Sequence, residues 1–380
     1  MYRSPEMCRP RAVAAAAGAP PNLDRLRDDA SNGYGLQQRI KLSVPSLASL
    51  RIAPLSSTLR SPSPFAHCDD SLPPAKLRAE LRQALRTARD AIRGDFEAGG
   101  DGIVAARQHS ELMDALIGRL LELAARRVSQ AVAEAHGAPL AVAAVGGYGR
   151  AELAPASDLD LLFVTDDRRS ADAVQCIEFV LYRLWDLGLR VGHAVRSVDD
   201  CIDAACSDWR TAISLLDLRF LCGQRALYDA AADRFKAEIV VGGEPLIDAL
   251  LCDLARRRIG FHDPKAPDAK NGPGGLRDLQ TLRWLAKLGR SHHGGHLQFL
   301  SFADGLKQGS AAQLLWSVRA HLHYLTGRAE DRLSEDLQPD VARRMLWDER
   351  PERRCATTLM DRFREATDQI AQATSCFVRQ

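Results

Sequence analysis

Residues 140–165, LAVAAVGGYGRAELAPASDLDLLFVT, impose a constraint that few folds can meet. The apolar run from Leu140 to Val145 reads as a strand. Gly146-Gly147 and Gly149 then permit positive φ and close approach of the backbone to a ligand. Asp158 to Val164 reads as a second strand. Side chains alternate faces along a strand. Asp158 and Asp160 therefore share one side, ~6–7 Å apart at Cα, while Leu159 and Leu161 face a core. Two neighbouring carboxylates at the start of a buried strand lose hydration and repel each other. A divalent cation removes both penalties. Hard oxygen ligands suit magnesium, which also binds substrate phosphates. A lone Asp-x-Asp often does no more than cap a surface strand, and glycine pairs are common. The order strand, Gly-Gly, spacer, Asp-x-Asp, strand favours the metal site. The N–H groups of the glycine loop, with Arg150, are expected to hold phosphates.

A second stretch, FHDPKAPDAKNGPGGLRDLQ at 261–280, carries related chemistry. Its prolines and glycines exclude a helix before Leu276, and a helix is expected over Leu276–Leu288. Free N–H groups at that helix start, beside Lys270 and Arg277, make an expected anion site that includes Gly274 and Gly275. The plainer reading is a glycine turn with a surface arginine.

Gly146-Gly147 followed by Ser157-Asp158-Leu159-Asp160 resembles the signature of the polymerase β-like nucleotidyltransferase superfamily. The fuller string GGYGRAELAPASDLDLL resembles, more narrowly, the N-terminal part of the bifunctional uridylyltransferase/uridylyl-removing enzymes. Lys270, Gly274, Gly275, Arg277 and Asp278 match a second element of that family. The resemblance covers about residues 75–380. It implies an α+β fold: a nucleotidyltransferase core with a mixed sheet, N-terminal helices and a C-terminal helical domain. It further implies UTP as donor and a tyrosine of the PII nitrogen-regulatory protein as acceptor. Asp158 and Asp160 would be the catalytic Mg2+ ligands. Gly146, Gly147, Arg150, Ser157, Arg196, Lys270, Gly274, Gly275 and Arg277 would contact the nucleotide phosphates. The family's HD hydrolase and ACT domains have no counterpart in these residues, so transfer without uridylyl removal is expected. The alternatives are a nucleotidyltransferase for another nucleotide or acceptor, and a non-catalytic nucleotide-binding regulator.

Residues 1–69 hold nine Arg or Lys and few acids, with a Ser/Pro-rich tract. They are expected to be a disordered leader. Apolar spacing predicts helices over 70–137, with a break at Gly99-Gly100, then the core over 138–207 and a helical domain over 208–380. Leu189–Arg196 reads as a third strand. It carries His193 and Arg196 where the superfamily usually has a third carboxylate, so the third metal ligand stays unassigned. Asp217 and Arg219 are expected to form a buried pair. His292, His293 and His296 fall in a glycine-rich loop, and His321 and His323 cannot share a helix face. The net charge of +2 gives no bulk argument for nucleic acid or a membrane surface. Nine scattered cysteines without C-x-x-C argue against disulfide or zinc frameworks and for the cytoplasm.

Overall fold

A computed structural model describes residues 63–69, 72–131, 140–166, 170–260, 262–289, 305, 309–345 and 352–378. Most of the basic leader and the three loop histidines lie outside these residues.

Two long helices come first, α1 (Pro74–Glu97) and α2 (Gly102–Ala131). Pro74 suits the first turn of α1, where no backbone donor is needed. Leu77, Leu81, Leu85, Ile92 and Phe96 form the buried stripe that the spacing predicted. The chain then enters the sheet: β1 (Leu140–Ala144), a helical turn α3 (Gly146–Gly149) and β2 (Leu159–Thr165). Helix α4 (Ala171–Asp186) leads to β3 (Val191–Arg196). Helices α5 (Val198–Ser207) and α6 (Trp209–Leu215) follow, and then β4 (Arg219–Gly223).

The sheet has four strands in the order β3-β2-β1-β4. β1 lies antiparallel to β2 and β4, and β2 lies parallel to β3. α2 and α4 contribute to the core on one face, which buries Leu159, Leu161 and Phe163. The opposite core takes Leu162 and Val164 with α5, α6 and later helices. The fold class is therefore α+β with a mixed sheet, as expected.

β4 corrects the helical reading of 208–260. Leu215, Leu216, Leu218 and Leu221 imitate a helical stripe, yet α6 stops at Leu215 and a strand follows. A bulge between Val142 and Ala143 lets β4 pair with β1.

The remaining chain is helical. α7 (Arg225–Phe235) continues into a π turn at Lys236–Val240. It is followed by α8 (Glu244–Ile259), α9 (Leu276–Leu288), α10 (Ser310–Thr326), α11 (Gln338–Arg344) and α12 (Glu352–Val378). Residues 63–380 cluster as one compact unit. The end of the supposed leader belongs to that unit. Phe65 and Cys68 are fully buried in the first core, and the Cys68 carbonyl accepts two hydrogen bonds from Arg119. The leader boundary at 69 therefore falls too late, because Phe65 supplies apolar area that the α1–α2 pair covers.

Candidate active site

The glycine turn and the aspartate pair line one wall of a cleft of about 530 Å3. Gly146 opens α3 with φ +57°, as the glycine reading required. No side chain caps this turn, so its first N–H groups point to no built-in acceptor. Gly146, Gly147, Ser157, Asp158 and Asp160 lie on this wall. Lys270, Arg277 and Arg319 line the same cleft. The structure thus brings together residues more than 100 positions apart in sequence.

Asp160 lies within β2 and is half-buried. Its β3 register partner is Gly192. A Cβ at Gly192 would sit 2.7 Å from Asp160 Oδ1, so the glycine makes room for the carboxylate. Burial, then the charge of Asp158, raises the Asp160 carboxyl above the usual carboxylate range; Lys270 and Arg150 pull the other way. Asp158 is more exposed and pairs with Arg190 at 2.7 Å. Two acidic groups, one destabilised by the other, fit a bound divalent cation.

Arg150 does not face the cleft as an unengaged cation. Its side chain is 6% exposed and bonds Glu152 at 2.8 Å and Asp217 at 2.6 Å. Asp217 also takes hydrogen bonds from Trp284 Nε1 at 2.8 Å and Lys287 Nζ at 2.7 Å. Burial alone would raise Asp217, but Arg150 and Lys287 outweigh it and hold the carboxyl low. The expected Asp217–Arg219 pair is thus corrected. Arg219 instead forks onto Asp114 at 2.6 and 3.1 Å. Asp217 sits in the turn after α6 and Arg219 opens β4, so the backbone between them changes direction and each finds its own partner.

Arg277 is a cation of the cleft with little local neutralisation. Among the described residues it has no ion pair within reach, and its guanidinium lies 5.6 Å from the Trp284 ring. Burial, reinforced by Arg150 and Arg257, lowers it to about 10, still charged at neutral pH. Burial and Arg319 also lower the Lys270 ammonium, against Asp331 at 3.6 Å. A bound polyanion relieves this crowding of positive charge.

Gly274 and Gly275 lie away from the cleft wall. The expected free amides at the start of α9 are all engaged. Gly274 N–H donates to Asp278, Gly275 to Gly272, Leu276 to Ala269 and Arg277 to Lys270. Gly274 has φ +70°, and a Cβ there would meet the Thr367 carbonyl at 1.9 Å. These glycines let the loop pack against α12, while Asp278, fully buried, binds Arg257 and Arg258. Arg196 and His193 are also outside this cleft. His193 packs edge-on against Trp185. Asp200 closes a capping box with Ser197, and Asp199 pairs with Arg234. Neither supplies a third carboxylate.

No motif spacing marks Trp209, Arg210, Ser214, Asp253, Arg257, Gln280, Trp284 and Arg319, which also line the cleft. The one available signal is Trp284, a bulky aromatic seven residues, about two turns, past Arg277 on α9.

A small mixed sheet, an uncapped glycine turn after its first strand and paired aspartates opening the next make up the arrangement expected of a nucleotidyltransferase. Residues 86–198 match the family described as "Putative nucleotidyltransferase DUF294", and residues 253–378 match the family described as GlnD PII-uridylyltransferase. Over these two regions the chain is similar to nucleotidyltransferases of the uridylyltransferase kind. The bifunctional uridylyltransferase/uridylyl-removing enzyme of Azospirillum brasilense is 42% identical over 286 residues, 73% of this chain and 30% of its own. Its namesake from Rhodospirillum rubrum is 36% identical over 312 residues, 80% of this chain and 33% of its own. That from Phenylobacterium zucineum is 36% identical over 328 residues, 83% and 35%. The chain spans about a third of the length of these curated relatives. Among the described residues no helix is long and apolar enough to cross a membrane.

Proposed function

We propose that the chain transfers UMP from UTP to a tyrosine hydroxyl of a PII-type signalling protein in the cytoplasm, with magnesium as the cofactor. The observation that carries this reading is the meeting in one cleft of Asp158 and Asp160 with Lys270, Arg277 and Arg319. A nucleoside triphosphate needs both the acids and the cations. Asp158 and Asp160 would hold the metal, which when bound neutralises charge on the phosphates and the departing pyrophosphate. Lys270, Arg277 and Arg319 bind and orient the phosphate chain, worth most where water is excluded. Gly146 and Gly147 let the backbone approach the phosphates closely. Uridine and PII come from the names of the relatives and of the matched family, not from the geometry.

The test is incubation of the full chain with α-labelled UTP, magnesium and a PII-type protein. Labelled PII is expected, lost on chelation and lost in Asp158→Asn and Asp160→Asn, with both variants still folded. Equal labelling by either variant, or label arriving only from another nucleotide, overturns the respective part of the reading.

A further inference from the structure

A second groove, of about 280 Å3, meets the main cleft at Asp160 and Ser214. Its other walls include Gly192, Ala194 and Arg196 from β3 and Thr211 from α6. The two spaces differ in charge. Lys270, Arg277, Arg319, Arg257 and Arg210 all line the main cleft, whereas among the described residues the smaller groove is lined by one arginine, Arg196, beside His193. A triphosphate therefore has its place on one side of Asp160, and a far less charged group has its place on the other.

β3 ends the sheet, and among the described residues no strand pairs its outer edge. On the face away from Asp160, this edge is flanked by Tyr182 and Trp185, exposed by 59% and 45%. Their rings pack edge-on at 5.7 Å, and Trp185 reaches His193 at 6.0 Å. Two exposed aromatics beside an unpaired strand edge are costly to leave in water without a use. Aromatic side chains are also the ones enriched at protein contacts.

We infer that the β3 edge, with Tyr182 and Trp185 on one face and the Ala194–Thr211 groove on the other, docks the acceptor polypeptide and feeds its hydroxyl to Asp160. An extended segment laid along β3 gains backbone hydrogen bonds, and its side chains alternate between the aromatic pair and the groove. The transfer then balances simply. The acceptor oxygen bonds the α-phosphorus, the bond to the bridging oxygen of pyrophosphate breaks, pyrophosphate leaves with that electron pair, and the hydroxyl proton passes to solvent. Approach from the groove places the entering oxygen opposite a leaving group held among the cations.

This inference rests on the nucleotidyl-transfer reading, and the experiment separates the two. Trp185→Ser, Ala194→Leu and their combination are compared with the natural chain for magnesium–UTP affinity and for transfer to a PII-type protein. The expected result is an acceptor KM raised at least tenfold in the double variant, with the UTP dissociation constant and the unfolding midpoint within twofold and a few degrees of the natural chain. An unchanged acceptor KM in the double variant overturns the docking inference and leaves nucleotidyl transfer standing. Failure of the natural chain to bind magnesium–UTP overturns the transfer reading, and this inference with it.

Discussion

His323 Nδ1 accepts the backbone N–H of Ala156 at 3.2 Å, two residues before Asp158. That bond fixes the tautomer, so Nε2 carries the proton and donates to Asp331 at 3.3 Å. Asp331 also takes Arg319 at 2.6 Å and Lys270 at 3.6 Å. One largely buried carboxylate thus ties two cations of the cleft to the loop that leads to Asp158 and Asp160. Burial, reinforced by Arg319, keeps His323 neutral, as the acceptor role requires; its hydrogen bond to Asp331 opposes that.

His323→Ala leaves the Ala156 N–H without its acceptor and removes one of the two donors on Asp331 Oδ1, where Arg319 remains. Expected costs are about 1–3 kcal/mol of stability and a fall in kcat that exceeds any change in UTP affinity. His323→Gln, whose amide can accept and donate, should restore part of both. Steady-state kinetics beside urea denaturation decides it; wild-type kcat in the alanine variant would show that the loop holds itself.

Gly192→Ala tests whether Asp160 needs the space that β3 leaves it. The added methyl meets Asp160 Oδ1 at 2.7 Å, and no backbone atom closer than 3.9 Å. The strand tolerates alanine, so stability should change by less than about 1 kcal/mol. Transfer should drop at least tenfold because the carboxylate must turn. Full activity with an unchanged melting temperature would mean that Asp160 acts from another rotamer.

Truncation gives a sharp boundary. A chain beginning at Ser63 keeps Phe65 and Cys68, while one beginning at Asp70 loses both from the core. The first is expected to melt with the full chain and the second well below it. Phe65→Ala alone should cost about 3–5 kcal/mol. Equal melting of the two truncations would remove Phe65 from the core.

Acid should destabilise the fold earlier than carboxylates alone would. Burial depresses His109 and His321 to about 4, from an ordinary 6.5. The unfolded chain binds these protons first. Stability from each group is complete above about pH 6.5 and declines down to about pH 4, by at most about 1.4 kcal/mol per unit and group. Urea midpoints measured across this window should fall, and His321→Asn should flatten the slope. A flat profile between pH 6.5 and 4.5 would refute the buried-neutral assignment.

Legibility followed sequence distance. Leu276–Leu288 is the helix expected, because the glycines and prolines before it act locally. Asp158 and Asp160 reach the cleft because a strand's two-residue period suffices to place them. The glycines at 274 and 275 misled for a physical reason: close packing and phosphate binding both ask for a residue without Cβ, and here Thr367 imposes it on Gly274 and the loop's own carbonyls on Gly275. β4 was hidden by leucines in a helical rhythm, and its pairing depends on a bulge in another strand. The partners of Asp217 could not be read from its neighbours, since they come from positions 150, 284 and 287.

Asp217 falls in the interval that neither matched family region claims, between 198 and 253. Its partners Arg150 and Lys287 fall one in each region. Cutting the gene at either family boundary would strand an ion that has no water to turn to. A fragment ending at 198 would lose β4 and one of the two counter-charges of Arg150, and a fragment starting at 253 would leave Lys287 and Trp284 without Asp217. Buried charges left so commonly cost about 3–5 kcal/mol. Gene fusions and rearrangements that preserve this enzyme must therefore inherit the two regions and the stretch between them as one cassette, and an insertion is tolerated only where no such bond crosses it.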